Sequence, residues 1–261
     1  MPSFSWRERL SHARSLLFYL PLYSLATAGC GAVSLLAAAL DASGRWPHRI
    51  ARFWARLLLI LGGIHVEVTG RENLIRDRPC LLVCNHLSYM DIPVIFAHVP
   101  LAFRIMAREN LFRFPFLGWH LRRGGHLPVD RENAPGSLRS VRRAVECVRQ
   151  GLSVFVFPEG GRSMSGVLKD FLPGAFYLAV RAGVPIVPMA LVGTRAVLPP
   201  NSLHLRPRPV RLAILPPVTT DGVSPKQLAE LAARVRGMIA AELGQPASVR
   251  LRMQMPPVPR G

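Results

Sequence analysis

Lysine is nearly missing from this chain and carboxylates are few. Lys169 and Lys226 are the two lysines among 33 basic residues, against 15 acidic ones, leaving a net charge of +18 over 261 residues. A GC-rich coding sequence explains a preference for arginine, but not a net excess. The excess calls for an anionic partner: nucleic acid, an anionic membrane surface, or a phosphorylated or acidic-protein substrate. Cysteine is sparse as well. Cys30, Cys80, Cys84 and Cys147 are irregularly spaced and give no disulfide framework. Cys80-x₃-Cys84 lacks a second Cys/His pair at zinc-ligand spacing, so no structural metal is expected. The chain reads as thiol-reduced and cytoplasm-facing. It has no internal repeat and no Gly-rich loop ending in Gly-Lys-Ser/Thr, so nucleotide hydrolysis is not indicated. Half of its residues are hydrophobic, which excludes wholesale disorder. The length suits one large domain, or one domain with an appendage.

Charge is also missing locally. No charged residue lies between Arg14 and Asp41. As a helix, Ser15–Leu40 is about 39 Å long, enough to cross a hydrocarbon core of about 30 Å or to enter it as a bent segment broken at Pro21. Arg7, Arg9 and Arg14 precede it and place the N-terminus on the cytoplasmic side if it spans. A cleaved signal would end near Ala26-Thr27-Ala28, yet the apolar run continues through Leu40, so a retained anchor is the preferred reading. Ile50, Phe53, Trp54, Leu57, Leu58 and Leu61 then recur at helical spacing, with Arg49, Arg52 and Arg56 on another face. That pattern fits an interfacial amphipathic helix or an ordinary core helix.

From His65 the texture changes to short apolar runs alternating with amphipathic stretches. Strands are predicted at His65–Thr69, Cys80–Cys84, His126–Val129, Ser153–Phe157, Val184–Leu191 and Val210–Leu215. Helices are predicted at Ile92–Ala97, Gly136–Arg149, Gly174–Ala182 and Pro225–Leu243, the last with Ser224 as N-cap. The alternation argues for an α/β domain over residues 64–244. It follows a membrane-associated helical segment at 1–63 and precedes a Pro/Arg-rich, disordered tail at 245–261.

Polar residues cluster just after three predicted strands, where an open α/β sheet places its ligand crevice. They are Asn85 to Asp91, Asp130-Arg131, and Pro158 to Ser163. If a helix starts between Ser88 and Pro93, the Asp91 carboxylate can turn back to the His86 imidazole. It would then fix the ring as a general base. Ser88 to Asp91 also fits a helix-capping box that needs no catalysis. Gly160 and Gly161 allow close backbone approach, and Arg162 and Arg131 suit forked pairing with phosphate. Pro-Glu-Gly-Gly is equally an ordinary turn. A further stretch interleaves Arg104, Arg108, Arg113, Arg122 and Arg123 with Phe103, Phe112, Phe114, Phe116 and Trp119. It suits anionic lipid, the phosphates of CoA, or an acidic carrier protein.

In order and spacing these segments resemble the lysophospholipid acyltransferase family. Asn85, His86 and Asp91 match its Asn-His-x₄-Asp motif, and Gly125 to Arg131 its second. Phe157 to Ser163 match Phe-Pro-Glu-Gly-Thr-Arg-Ser, with Gly161 in place of threonine. Val184 to Pro188 match the fourth motif, and Lys169, Phe171 and Gly174 a Lys-x-Phe-x-x-Gly element. The resemblance implies a glycerolphosphate-acyltransferase-like α/β fold: a mostly parallel sheet flanked by helices, with an N-terminal helical membrane anchor. It implies acyl transfer from acyl-CoA or acyl-acyl carrier protein to the free hydroxyl of lysophosphatidate, giving phosphatidate, with neither metal nor other cofactor. Another lysophospholipid or a lyso-aminolipid is the alternative acceptor. From another class, a basic nucleic-acid-binding protein would also account for the charge, though no nucleic acid is expected.

The family places His86 and Asp91 in catalysis and Asn85, Arg131, Glu159, Gly160, Gly161, Arg162 and Lys169 at the substrate. Glu159 is read as organising Arg131 or Arg162, or bonding a glycerol hydroxyl; the Gly160 and Gly161 amides as oxyanion donors; Ser88 as a disfavoured rival nucleophile; Tyr89 and Met90 as packing residues. The expected location is the cytoplasmic face of an anionic membrane.

Overall fold

The computed structural model describes residues 6–41, 44–130 and 134–246. Arg131 and the tail beyond residue 246 lie outside the described residues.

The apolar N-terminus is a continuous helical rod made of α1 (Trp6–Arg14), a π-helical turn (Ser15–Tyr19) and α2 (Leu20–Leu40). Pro21 does not break it. Proline removes an N–H and crowds the carbonyl four residues back. The π turn just ahead of it shifts the hydrogen-bond register, with the Leu20 N–H donating to Ser15 O. Residues Glu8–Leu40 are long and apolar enough to cross a membrane, and only 11% of the most apolar stretch is buried against the protein.

Helix α3 (Arg45–Leu61) returns along α2, with Tyr23 Oη donating to Leu58 O at 2.7 Å and Trp54 Nε1 to Thr27 Oγ1 at 3.0 Å. Its inward face is Ala51, Ala55, Leu58 and Leu59, while Trp46, Phe53 and Ile60 point outward with Arg45, Arg49 and Arg56. The interfacial and core readings therefore divide one helix between two faces.

The α/β body begins at β1 (Val66–Thr69) and β2 (Leu81–Cys84), followed by α4 (Asp91–His98), β3 (Phe103–Arg108), α5 (Leu117–Arg123), β4 (Leu127–Val129) and α6 (Ala134–Arg149). It continues with β5 (Ser153–Val156), α7 (Pro173–Ala182), β6 (Ile186–Val192), α8 (Thr194–Val197), β7 (Val210–Ile214) and α9 (Leu228–Glu242). Among the described residues the strands form one seven-stranded sheet in the order β1-β7-β6-β2-β5-β3-β4, parallel except where β6 meets β7.

Strand β3 was not expected: Phe-Arg-Ile-Met-Ala-Arg carries two arginines, yet Arg104 is buried. The central strands β2 and β5 are buried at every position, as a sheet covered on both faces requires. One face packs against α3 and α4, through Ala55, Leu59, Val94, Ile95 and Phe103. The other packs against α6, α7 and α9, through Val148, Phe176, Leu178, Val235 and Ile239.

Ser224 caps the C-terminal element as expected, in a reciprocal box with Gln227, but the first turn is 3₁₀ and the α-helix begins at Leu228. The ordered chain also continues past residue 244. Gln245 Oε1 accepts the Leu168 N–H at 2.7 Å, and its Nε2 donates to Gly166 O at 3.0 Å.

Register decides where the site lies. Val83 of β2 stands beside Val156 of β5, so the loops starting at Asn85 and Phe157 leave the sheet side by side. The strand leading toward Arg131 is the edge strand, separated from β5 by β3.

Candidate active site

Asn85 fastens the first loop. Its Oδ1 accepts the Leu191 N–H at 2.7 Å and its Nδ2 donates to Leu191 O at 2.9 Å. The side chain is fully buried, so it staples the loop to β6 rather than reaching toward a ligand. His86 follows with its ring stacked on Phe157, centroids 3.8 Å apart and planes 10° from parallel. Its Nδ1 lies 2.7 Å from Asp91 Oδ2.

That same oxygen accepts the Leu87 and Ser88 N–H groups at 2.7 and 2.8 Å. Asp91 thus sits in the first turn of α4 with its carboxylate turned back on the preceding loop, bonding two loop N–H groups and orienting the imidazole at once. The helix has Met90 at its N-cap and no side-chain cap bond, so the capping-box reading of this segment does not hold. Because the carboxylate only accepts, Nδ1 carries the ring proton and Nε2 presents its lone pair. None of the described residues hydrogen-bonds to Nε2. Ser88 Oγ is committed elsewhere: it donates to Leu198 O at 2.6 Å and accepts the Met90 N–H at 3.0 Å.

Among the described residues, which leave out Arg131, no arginine is organised by Glu159. Its Oε1 accepts the His86 N–H at 2.6 Å and its Oε2 the Lys169 N–H at 3.0 Å, so one buried carboxylate clamps two loops by their backbones. Burial pushes its carboxyl up to about 7, opposed by those two N–H bonds and by the Lys169 charge. Ser163 N–H closes the arrangement on His86 O at 2.9 Å.

Arg162 extends along the mouth of the loop, with Nε donating to Ser88 O at 3.3 Å and its guanidinium 4.0 Å above the Tyr89 ring. Tyr89 is 41% exposed and carries that cation, so it is not a packing residue. Met90 is one, at 2% exposure. Lys169 Nζ reaches Gly161 O at 3.1 Å. Gly160, at φ +77°, donates its N–H to Phe157 O at 3.1 Å and is unavailable to an oxyanion. The Gly161 N–H has no hydrogen-bond partner among the described residues. No group of three or more potential metal ligands occurs among the described residues.

Known proteins resemble this chain in sequence and fold. A family model described as Acyltransferase matches residues 65–192, the stretch holding every site residue predicted from the sequence. The 1-acyl-sn-glycerol-3-phosphate acyltransferase of Saccharomyces cerevisiae is 30% identical over 87% of this chain and 78% of its own length. The chain belongs to the acyltransferase family. The enzyme of the same name from Pseudomonas aeruginosa is 27% identical over 93% of this chain and 95% of its own. The crystal structure of the Thermotoga maritima 1-acyl-sn-glycerophosphate acyltransferase, PlsC, superposes with a TM-score of 0.73 at 29% identity, covering 86% of this chain and 94% of that one. Against the chloroplast enzyme BAT2 of Brassica napus, 35% identical, the match spans 60% of this chain but only 46% of the relative.

Arg195 and Arg236, which fasten loops of this site, went unread in the sequence, and Arg108 was read only within the basic, aromatic-interleaved stretch. Arg195 of α8 donates to Ser163 O at 3.1 Å and to Met164 O at 2.6 Å. Arg236 of α9, 4% exposed, donates to Leu168 O at 2.7 Å and Lys169 O at 3.0 Å. Arg108, at the end of β3, lies beside Gly161: a Cβ added there would stand 3.4 Å from its Nη2. None of the three stands in a motif. Only Arg108 carried a signal, as part of the basic stretch, and the strand that ends on it was itself missed.

Proposed function

We propose that this acyltransferase moves a fatty acyl chain from a thioester donor, acyl-CoA or acyl-acyl carrier protein, to the free hydroxyl of lysophosphatidate, giving phosphatidate. The observation that carries the reading is the His86–Asp91 contact of 2.7 Å, with Nε2 unpartnered among the described residues and Arg162 bonded to Ser88 O of the same loop. His86 Nε2 takes the acceptor's hydroxyl proton as that oxygen attacks the thioester carbonyl. The tetrahedral intermediate collapses with loss of the thiolate, which takes the proton back from the imidazolium. Asp91 holds the tautomer and stabilises the charged ring. The Gly161 N–H is the amide available to the developing oxyanion. Arg162, Lys169 and Arg108 supply positive charge for the acceptor's phosphate, and Arg131 is a further candidate. The reaction needs no nucleophile on the protein and no cofactor.

The reading places the enzyme on the cytoplasmic face of a membrane, through α1 to α3. Both ends of the apolar rod touch the α/β body: Ser15 Oγ donates to Leu205 O at 3.1 Å, and Ser34 Oγ lies 3.1 Å from His120 Nδ1. Those residues are about 28 Å apart along a helix. A rod fastened to one body at both points lies along it, which favours burial in one leaflet over crossing. It would bring the site to the surface that holds its lipid acceptor.

The test is thiol release from palmitoyl-CoA by detergent-solubilised enzyme, with and without lysophosphatidate, beside His86→Ala. Release should require lysophosphatidate and fall by about 10²-fold or more in the variant. Equal release from both proteins overturns the mechanism. Release only with acyl carrier protein or with another lysolipid reassigns donor or acceptor, and none with any of them rejects acyl transfer.

A further inference from the structure

We infer that the segment Phe114 to Trp119 is a second membrane-contacting element, an aromatic wedge that seats in the interface of an anionic leaflet beside the helical anchor. Within six residues it exposes Phe114 at 55%, Phe116 at 71%, Leu117 at 46% and Trp119 at 47%. Single exposed apolar side chains are ordinary; a contiguous patch of large ones is not.

The segment is also firmly built. Gly118 packs so closely under Phe112 that an added Cβ would collide with the Phe112 carbonyl, and its N–H donates to Phe114 O at 2.8 Å. Arg122 Nη1 donates to the same Phe112 carbonyl, and the Phe112 ring is buried. Phe116 is held at φ +60°, a region that favours glycine, with its ring against Trp119 at a centroid distance of 5.2 Å. The loop therefore fixes its backbone inward and turns its rings outward.

Two observations identify the occupant. The wedge is continuous with the anchor, because α5 packs on α2 and His120 meets Ser34. It is also rimmed by Arg113, Arg122 and Arg123, the arrangement of aromatic and basic residues that suits a head-group layer carrying negative charge.

The inference rests on the membrane reading above, so its test separates the two. Of the four tryptophans, Trp46 lies on the outer face of α3 and Trp119 in the wedge. Full-length proteins retaining only one of these, the other three replaced by phenylalanine, are bound to phosphatidylcholine/phosphatidylglycerol vesicles containing brominated acyl chains. Quenching and a blue shift of Trp119 are expected. Phe114→Ser with Phe116→Ser, in the otherwise native chain, should weaken vesicle partitioning about tenfold, with unchanged acyl transfer to a detergent-dispersed acceptor. Quenching of Trp46 with Trp119 untouched overturns the wedge and leaves the anchor. Quenching of neither overturns both. Unchanged partitioning of the double variant overturns the energetic contribution of the wedge even if Trp119 is quenched.

Discussion

At the scale of single residues, the site depends on polar groups serving two or three partners each. The Asp91 carboxylate bonds one imidazole and two backbone N–H groups through one oxygen, and Glu159 joins the His86 and Lys169 segments through two. Glutamine at 159 would present an NH₂ group to one of those N–H donors. Glu159→Gln should therefore cost about 1–3 kcal/mol in urea unfolding. It should also lower kcat, because the backbone beside His86 loses its hold. Tyr89 acts on Arg162 through its ring face. Tyr89→Leu should raise the KM for lysophosphatidate roughly three- to thirtyfold with kcat nearly unchanged, while Tyr89→Phe keeps the wild-type value. Steady-state kinetics on the two variants distinguish a cation held over a ring from a hydrogen bond through the hydroxyl. Gly161 deserves the same scrutiny: the 3.4 Å clearance to Arg108 is ordinary contact, so Gly161 leaves room for the threonine that the family motif carries.

At the scale of elements, α9 reaches the site without contributing a motif. Arg236 and Gln245 hold Leu168, Lys169 and Gly166, so the helix farthest along the chain fixes the loop that carries the Lys169 amine. Arg236→Met keeps much of the volume but leaves the buried Leu168 carbonyl and the part-buried Lys169 carbonyl without that donor. It should destabilise the enzyme by about 2–4 kcal/mol and raise hydrogen exchange at residues 166–169 ahead of the sheet, measurable by mass spectrometry. The β2, β5 and β6 runs were legible because both faces are buried and every position but Ser153 is apolar. β3 was not, because the burial of Arg104 depends on groups from other elements. Gly44 and Gly125 press against its guanidinium so closely that a Cβ on either would come within 2.9 Å. A pattern of hydrophobicity along one segment cannot contain that information.

For the molecule as a whole, buried histidines set the response to acid. Burial lowers His48 to about 4 and His126 to about 3, and lowers His98 and His120 too. Each of these sites binds more protons when unfolded, so each loses stability as pH falls below about 6.5. Glu159 works the other way, since its raised pKa makes the folded state the better proton binder between about 4.5 and 7. With two strongly shifted histidines against one glutamate, stability should fall by about 1 kcal/mol per pH unit on average between 6.5 and 5. Urea midpoints in detergent at pH 7 and pH 5 test the sign: the midpoint should be lower at pH 5.

The sequence by itself determined the family and the class of fold. Asn85, His86, Asp91, Glu159 and Arg162 stand in short segments whose spacing along the chain is enough to recognise, and strands alternating with amphipathic helices imply a covered parallel sheet. The apolar stretch ending at Leu40 was equally plain, because its signal is one of length and missing charge. Only the tertiary structure decided what each polar group does. Glu159 meets the His86 backbone 73 positions away, Asn85 meets Leu191 across 106, and Ser15 meets Leu205 across 190. A hydrogen bond requires two atoms within about 3 Å. Chain order sets which groups are available, but sheet register and the closure of loops on one another set which of them meet.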